Sequence, residues 1–127
     1  MPNGVELLER LHRRNFPSTP WDAEGIDRLI EDYELRDVLS SPDHWFVRVL
    51  NAAARGQNLT LFFDEVGSDL ASLLVHLADD YGWDADDYGE GAVVRFPKSR
   101  MRIFISREAR DPVTRRSCDS AVVTHLV

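Results

Sequence analysis

Residues 58–77 place the tightest limit on what this chain can fold into. Leu59 to Phe63 is a short, nearly continuous apolar run bounded by Gly56 and Asp64. Its length and its Phe and Thr content favour an interior strand over a helix. Behind it Leu70, Leu73, Leu74, Leu77 and Tyr81 recur at spacings of 3, 1, 3 and 4. That spacing draws an apolar stripe of about 100° along a helix, which Ser68 or Asp69 can start and Gly82 can stop. The chain therefore contains a strand-to-helix unit.

Three helical stretches are expected before it. Val5, Leu7, Leu8 and Leu11 share a helix face that Asn3 can cap, and the two prolines of Asn15 to Pro20 break the run. Thr19-Pro20-Trp21-Asp22 offers a hydroxyl at N-cap, proline at N1 and a carboxylate at N3 for a second helix carrying Ile26, Leu29, Ile30 and Tyr33. Ser41-Pro42-Asp43 repeats the signal for a third, with Phe46, Val49, Leu50 and Ala53 apolar and Gly56 closing it. Ala92 to Phe96 and Met101 to Ser106 alternate around Pro97-Lys98-Ser99-Arg100 and read as a hairpin, with Val94, Phe96, Met101, Ile103 and Ile105 toward the core. Ala121 to Val127 reads as a last strand. The fold class is α/β or α+β: three N-terminal helices, one β-α unit, then an antiparallel hairpin and a C-terminal strand in a helix-covered sheet. At 127 residues it forms one domain, 1–127, able to bury about two-thirds of its unfolded surface.

Several classes fall away on composition. No apolar run approaches the roughly 18–20 residues of a membrane span, which implies no membrane partner. Met-Pro-Asn-Gly-Val-Glu has neither the basic nor the apolar region of a signal peptide, so a cytoplasmic, intracellular location is expected. The single cysteine, Cys118, excludes an internal disulfide framework and any Cys-based zinc site within one chain.

The strand, loop and helix at 58–77, with the preceding helix from Trp45 to Arg55, resemble the corresponding unit of P-loop ATPases. In the register of G-x-x-x-x-G-K-[ST], Asp64 and Asp69 stand for the glycines, Leu70 for the lysine and Ala71 for the hydroxyl. In that register the unit resembles a degenerate P-loop, with two carboxylates where a triphosphate would sit. In other registers Leu59 to Glu65 resembles a Walker B strand. Arg100 to Ser106 and Ala121 to Thr124 look like two core strands of phage large terminases, with Thr124-His125 where Asp-Glu is expected. The resemblance implies an ATPase-like scaffold without nucleotide chemistry, and no cofactor is expected.

The net charge of −7 hides an asymmetry. Residues 1–90 carry 7 Arg against 19 carboxylates, net −12, whereas residues 91–127 carry 8 Arg or Lys against three, net +5. Residues 64–90 alone hold nine carboxylates and no Arg or Lys. Such polarity implies either matching within the chain or two faces for different partners. The basic candidates are Arg95, Lys98, Arg100, Arg102, Arg107, Arg110, Arg115 and Arg116, on the hairpin and on a 14-residue loop from Arg107 to Ser120. Connections of that length tend to be functional. Asp79, Asp80, Trp83, Asp84, Asp86 and Asp87 form an acidic docking surface with an aromatic anchor.

The remaining chemistry is thin. Asp84-x-Asp86-x-Tyr88-Gly89 begins like a calcium loop, but Tyr88 and Arg95 occupy two ligand positions, and a solvated acidic turn is the better reading. His76 reads as a structural histidine beside a core stripe. Cys118 and His125 could serve as nucleophile and base only with a third, orienting residue that nothing signals. The first functional expectation is a non-catalytic protein-interaction or regulatory protein, with a protein partner or a second copy of itself. The second is a nucleic-acid-handling, phage-type DNA-processing factor with a lost P-loop, and the last a metal-dependent hydrolase on the acidic cluster.

Overall fold

The computed structural model describes residues 3–64, 74–76, 78–79, 83–88 and 91–126. Helices α1 (Gly4–Asn15), α2 (Ala23–Asp32), the single turn α3 (Arg36–Leu39) and α4 (Trp45–Arg55) precede strand β1 (Leu59–Phe63). Strands β2 (Asp84–Asp87), β3 (Gly91–Phe96), β4 (Met101–Arg110) and β5 (Ser117–His125) follow, with a 3-10 turn over Pro97–Ser99 between β3 and β4. The strands form one sheet in the order β1-β5-β4-β3-β2, antiparallel at every pairing. The fold is α+β.

Local signals account for most helix boundaries. The Asn3 side chain accepts the Glu6 amide at 3.0 Å and starts α1. Asp22, not Thr19, caps α2, accepting the Gly25 amide at 3.0 Å. At α4 the cap is His44, whose Nδ1 accepts the Phe46 amide at 3.1 Å, rather than Ser41. In both cases the chain turns helical a few residues beyond the proline. Gly56 ends α4 at φ 72, the left-handed conformation that glycine adopts without a Cβ clash.

Alternation in the strands divides the sheet into two faces. Val94, Phe96, Met101, Ile103, Ile105, Ala121 and Val123 are buried beneath the helices with Leu7, Leu8, Leu11, Phe46, Val49, Leu50 and Ala53. The hairpin is as its alternation predicts. Tyr33 is the exception among the helical stripes, lying 42% exposed at the end of α2. Two aromatic stacks tie helices to strands. Trp45 lies on Phe63 with centroids 4.3 Å apart, and Phe16 lies parallel to Trp83 at 5.8 Å.

Three expectations about strands change. β1 is an edge strand of the described sheet rather than an interior one, and its burial alternates, because Thr60 and Phe62 point outward. The acidic turn at 84–87 is strand β2, paired with β3 from Asp84 opposite Arg95 to Asp87 opposite Ala92. The long loop from 107 to 120 is mostly sheet: β4 runs on to Arg110, β5 starts at Ser117, and only residues 111–116 connect them. The last strand accordingly begins four residues before Ala121. Residues 74–76 and 78–79 are helical, with Leu74 and Ala78 buried and His76 exposed, not structural. The rest of the expected helix, and the loop from Glu65 onward with Asp69, Leu70 and Ala71, lie outside the described residues.

Candidate functional site

Folding separates the eight basic candidates into three places. Arg95 and Arg102 face each other across β3 and β4 on the sheet face turned away from the helices. Like charges in that position repel, and β2 resolves the conflict. Arg95 Nη1 donates to Asp86 Oδ2 at 2.8 Å and lies 3.4 Å from Asp84 Oδ1. The Asp86 hydrogen bond raises the pKa of the Arg95 guanidinium further above its usual value. Arg102, exposed, joins Phe104, Val93, Val122, Thr124 and Leu126 around a cavity of about 220 Å³ on this face.

Lys98 and Arg100 occupy the β3–β4 turn, where Arg100 takes a left-handed φ of 53 and its carbonyl accepts the Leu126 amide at 2.8 Å. Folding brings this turn to the end of α1: Ser99 Oγ donates to Asn15 Oδ1 at 2.6 Å. Beside it Arg14 Nη1 donates to the Ala53 carbonyl at 2.6 Å and to His125 Nε2 at 3.2 Å. The sequence could not flag Arg14, which stands in an acidic stretch. Only the meeting of α1, α4 and β5 reveals its place.

Arg110, Arg115 and Arg116 lie at the opposite end of β4, roughly 33 Å from Arg100 at strand rise. Here, among the described residues, the sheet narrows to two strands. β3 makes its last pairing at Gly91 with Ser106, and β1 at Phe63 with Asp119. Beyond them, among the described residues, only Ala109 with Cys118 and Arg110 with Ser117 continue the ladder. A bulge sets Arg107 and Glu108 of β4 against Asp119 alone, which bends the ribbon and increases its twist. The Arg107 side chain lies outside the description. The tip is built by Asp111, whose Oδ1 accepts the amides of Val113 at 2.8 Å and Thr114 at 3.2 Å. Its carbonyl takes the Arg115 amide at 2.8 Å, and its own amide donates to Arg116 O at 3.0 Å. Pro112, Val113, Arg115 and Arg116 are all exposed on this hydrogen-bonded turn, Val113 at 88%.

The acidic candidates do not form one surface. Trp83 is not an exposed anchor: it is 5% exposed, packed on Phe16 and edge-on to Phe96 at 5.2 Å. Asp84 and Asp86 are held by Arg95, Asp79 is exposed on the helical segment, Asp87 is exposed at the end of β2, and Asp80 lies outside the described residues. Among the described residues no group of three or more His, Cys, Asp or Glu is placed to hold a metal ion. Cys118 and His125 lie seven residues apart on one strand, roughly 23 Å, too far for a nucleophile and its base. Burial and the carboxylates of Asp111, Asp119 and Asp64 push the Cys118 thiol up, away from the thiolate.

The fold and the site define an α+β protein whose β4 and β5, among the described residues, run past their neighbours as a two-stranded arm carrying Arg110, Arg115 and Arg116 at its tip. No family model, curated protein or solved structure matches the chain. Among the described residues no helix is long and apolar enough to cross a membrane.

Proposed function

We propose that this chain is a non-catalytic interaction protein that presents the β4–β5 arm to an acidic partner. One observation carries the reading. Arg95 is matched by Asp84 and Asp86, yet none of the ion pairs among the described residues involves Arg110, Arg115 or Arg116. The charge polarity of the sequence is thus consumed at the base of the sheet and left open at its tip. Guanidinium groups bind carboxylates and phosphates through paired N–H donors, and the arm offers three of them outside any ion pair among the described residues.

Separation by distance makes this workable for a protein of net charge −7. β4 runs four residues past its last pairing with β3, roughly 13 Å less the bulge, β5 runs two past its last pairing with β1, roughly 7 Å, and the turn carries Arg115 and Arg116 beyond both. Charges screen one another over about 8–10 Å at physiological ionic strength, so a partner at the tip feels the arm more than the body.

Retention on immobilised heparin, a polyanion that repels an unsegregated acidic protein, tests the reading. The wild-type chain is expected to bind at low salt, and the R110A/R115A/R116A variant to elute in the flow-through. Wild-type protein that passes straight through the column sinks the proposal.

A further inference from the structure

We infer that the acidic partner is B-form duplex DNA, with the β4–β5 ribbon entering its major groove; this rests on the arm being the binding element. The first support is shape. Adjacent strands lie about 4.8 Å apart, and a two-stranded ribbon is one of the two elements that the roughly 12 Å wide major groove admits. An acidic protein surface sets no such requirement on the width or reach of the element that meets it. Past their last pairings β4 runs on four residues beyond β3, roughly 13 Å less what the bulge takes up, and β5 two residues beyond β1, roughly 7 Å. With the turn at 111–116 added, the reach is comparable to a groove about 8.5 Å deep.

The second support is the placement of side chains. Arg110 ends β4, and Arg115 and Arg116 close the turn just before β5, so the three cations lie on both sides of its apex. That is the arrangement needed to meet the phosphates on the two walls of a groove. Between them Pro112 and Val113 form an apolar apex. A single exposed valine is ordinary on a protein surface. At the apex of an arginine-flanked ribbon it occupies the position that reaches base edges, where apolar groups meet the thymine methyl. The third support is rigidity. Asp111 spends its carboxylate oxygen on two tip amides, so the apex is held in shape before binding.

Three phosphate contacts predict a slope of about −2.7 for log affinity against log salt, or about a 40-fold loss between 50 and 200 mM. The R115A/R116A variant should bind more weakly, with a slope near −0.9 and a loss of about 4-fold. Val113→Ser should leave the slope unchanged while reducing discrimination between duplexes of different sequence.

The experiment is fluorescence anisotropy of the full chain and these variants with a 20-base-pair DNA duplex and the matching RNA duplex, the heparin column run in parallel. Preferential, arm-dependent binding of the DNA duplex supports the inference, because the A-form major groove is too narrow for side chains to enter. Equal affinity for the two duplexes overturns the groove assignment. Arm-dependent heparin retention with no duplex binding overturns DNA as the partner, leaves the arm reading standing and points to an acidic protein. Loss of both removes both. Duplex binding unaffected by R115A/R116A overturns the inference as well, since the contact would then lie elsewhere.

Discussion

Arg14 Nη1 donates to His125 Nε2 across 3.2 Å, joining α1 to the last residue of β5. The other face of the ring is fixed by Asn58, whose Oδ1 lies 3.2 Å from Nδ1 and accepts the His125 amide at 2.8 Å. Since Oδ1 can only accept, Nδ1 carries the proton and Nε2 is the free lone pair that Arg14 needs. The neutral imidazole fits this site and the imidazolium does not. Burial and the adjacent guanidinium both lower the His125 pKa from 6.5.

Stability should therefore fall as the solution is acidified. A histidine whose folded pKa is depressed costs nothing above its unfolded value, near 6.5, where both states are neutral. Below that value the unfolded chain takes up the proton first, and the loss grows until the folded pKa is passed. Urea unfolding between pH 7.5 and 5 should show this decline in the wild type and a shallower one in Arg14→Met, which removes the repelling charge. Equal slopes in the two proteins would show that Arg14 does not set the His125 titration.

Trp83 offers a sharp test of core against interface. Its ring packs on Phe16, Phe96 and His12, so Trp83→Ala should cost about 3–5 kcal/mol. Chemical denaturation measures the loss. Heparin retention of the folded variant should be unchanged, since the ring is far from the arm.

Gly56→Ala probes the end of α4. An added Cβ would meet the Arg14 guanidinium at 3.1 Å, a group held by Ala53 and His125, and would stand at a φ of 72, so both effects oppose the substitution. The expected loss is about 1–2 kcal/mol by denaturation. A neutral or stabilising result would mean that the segment can re-form its cap with a negative φ.

Removing the carboxylates of β2 should expose the conflict between Arg95 and Arg102. Asp84→Asn with Asp86→Asn leaves two guanidinium groups opposite each other across β3 and β4. The melting temperature should drop at low salt and recover at high salt, because the contacts are at the surface and are screened. A drop that persists at 1 M salt would assign the effect to packing instead.

Asp111→Ala tests the tip without touching a cation. Two amides lose their acceptor, the turn loosens and binding should weaken through ordering cost. Its salt slope should stay that of the wild type, in contrast to R115A/R116A. A slope reduced to the same extent as in that variant would show that the turn places the arginines rather than merely stiffening the arm.

Much of the architecture was legible in the chain because it depends on neighbours in sequence. Alternation placed Val94, Phe96, Met101, Ile103 and Ile105 inside, helical spacing placed Leu7, Leu8 and Leu11, and Asn3 and Gly56 marked helix ends. Misreadings arose where a local pattern is silent about the partner. The apolar run Leu59–Phe63 looks interior, yet among the described residues strand order puts it at an edge, with Phe62 40% exposed. Asp84–Asp87 has the composition of a turn, and it is a strand because β3 offers a free edge and Arg95 accepts its charge. Arg107 to Ser120 lacks apolar alternation because its described side chains are mostly polar and exposed or half-buried, so only the ladder itself marks it as strand.

The sequence by itself determined α1, α2 and α4, the hairpin and the imbalance of charge, all written in periodicity and composition, whereas the single turn α3 carries no such signal. Tertiary structure decided which charges meet. Pairing β2 with β3 spends Asp84 and Asp86 on Arg95, whereas extending β4 and β5 past their neighbours leaves Arg110, Arg115 and Arg116 outside any ion pair among the described residues. Net charge is additive along a chain, but the distances that turn charge into binding are fixed only by the register of one strand against another.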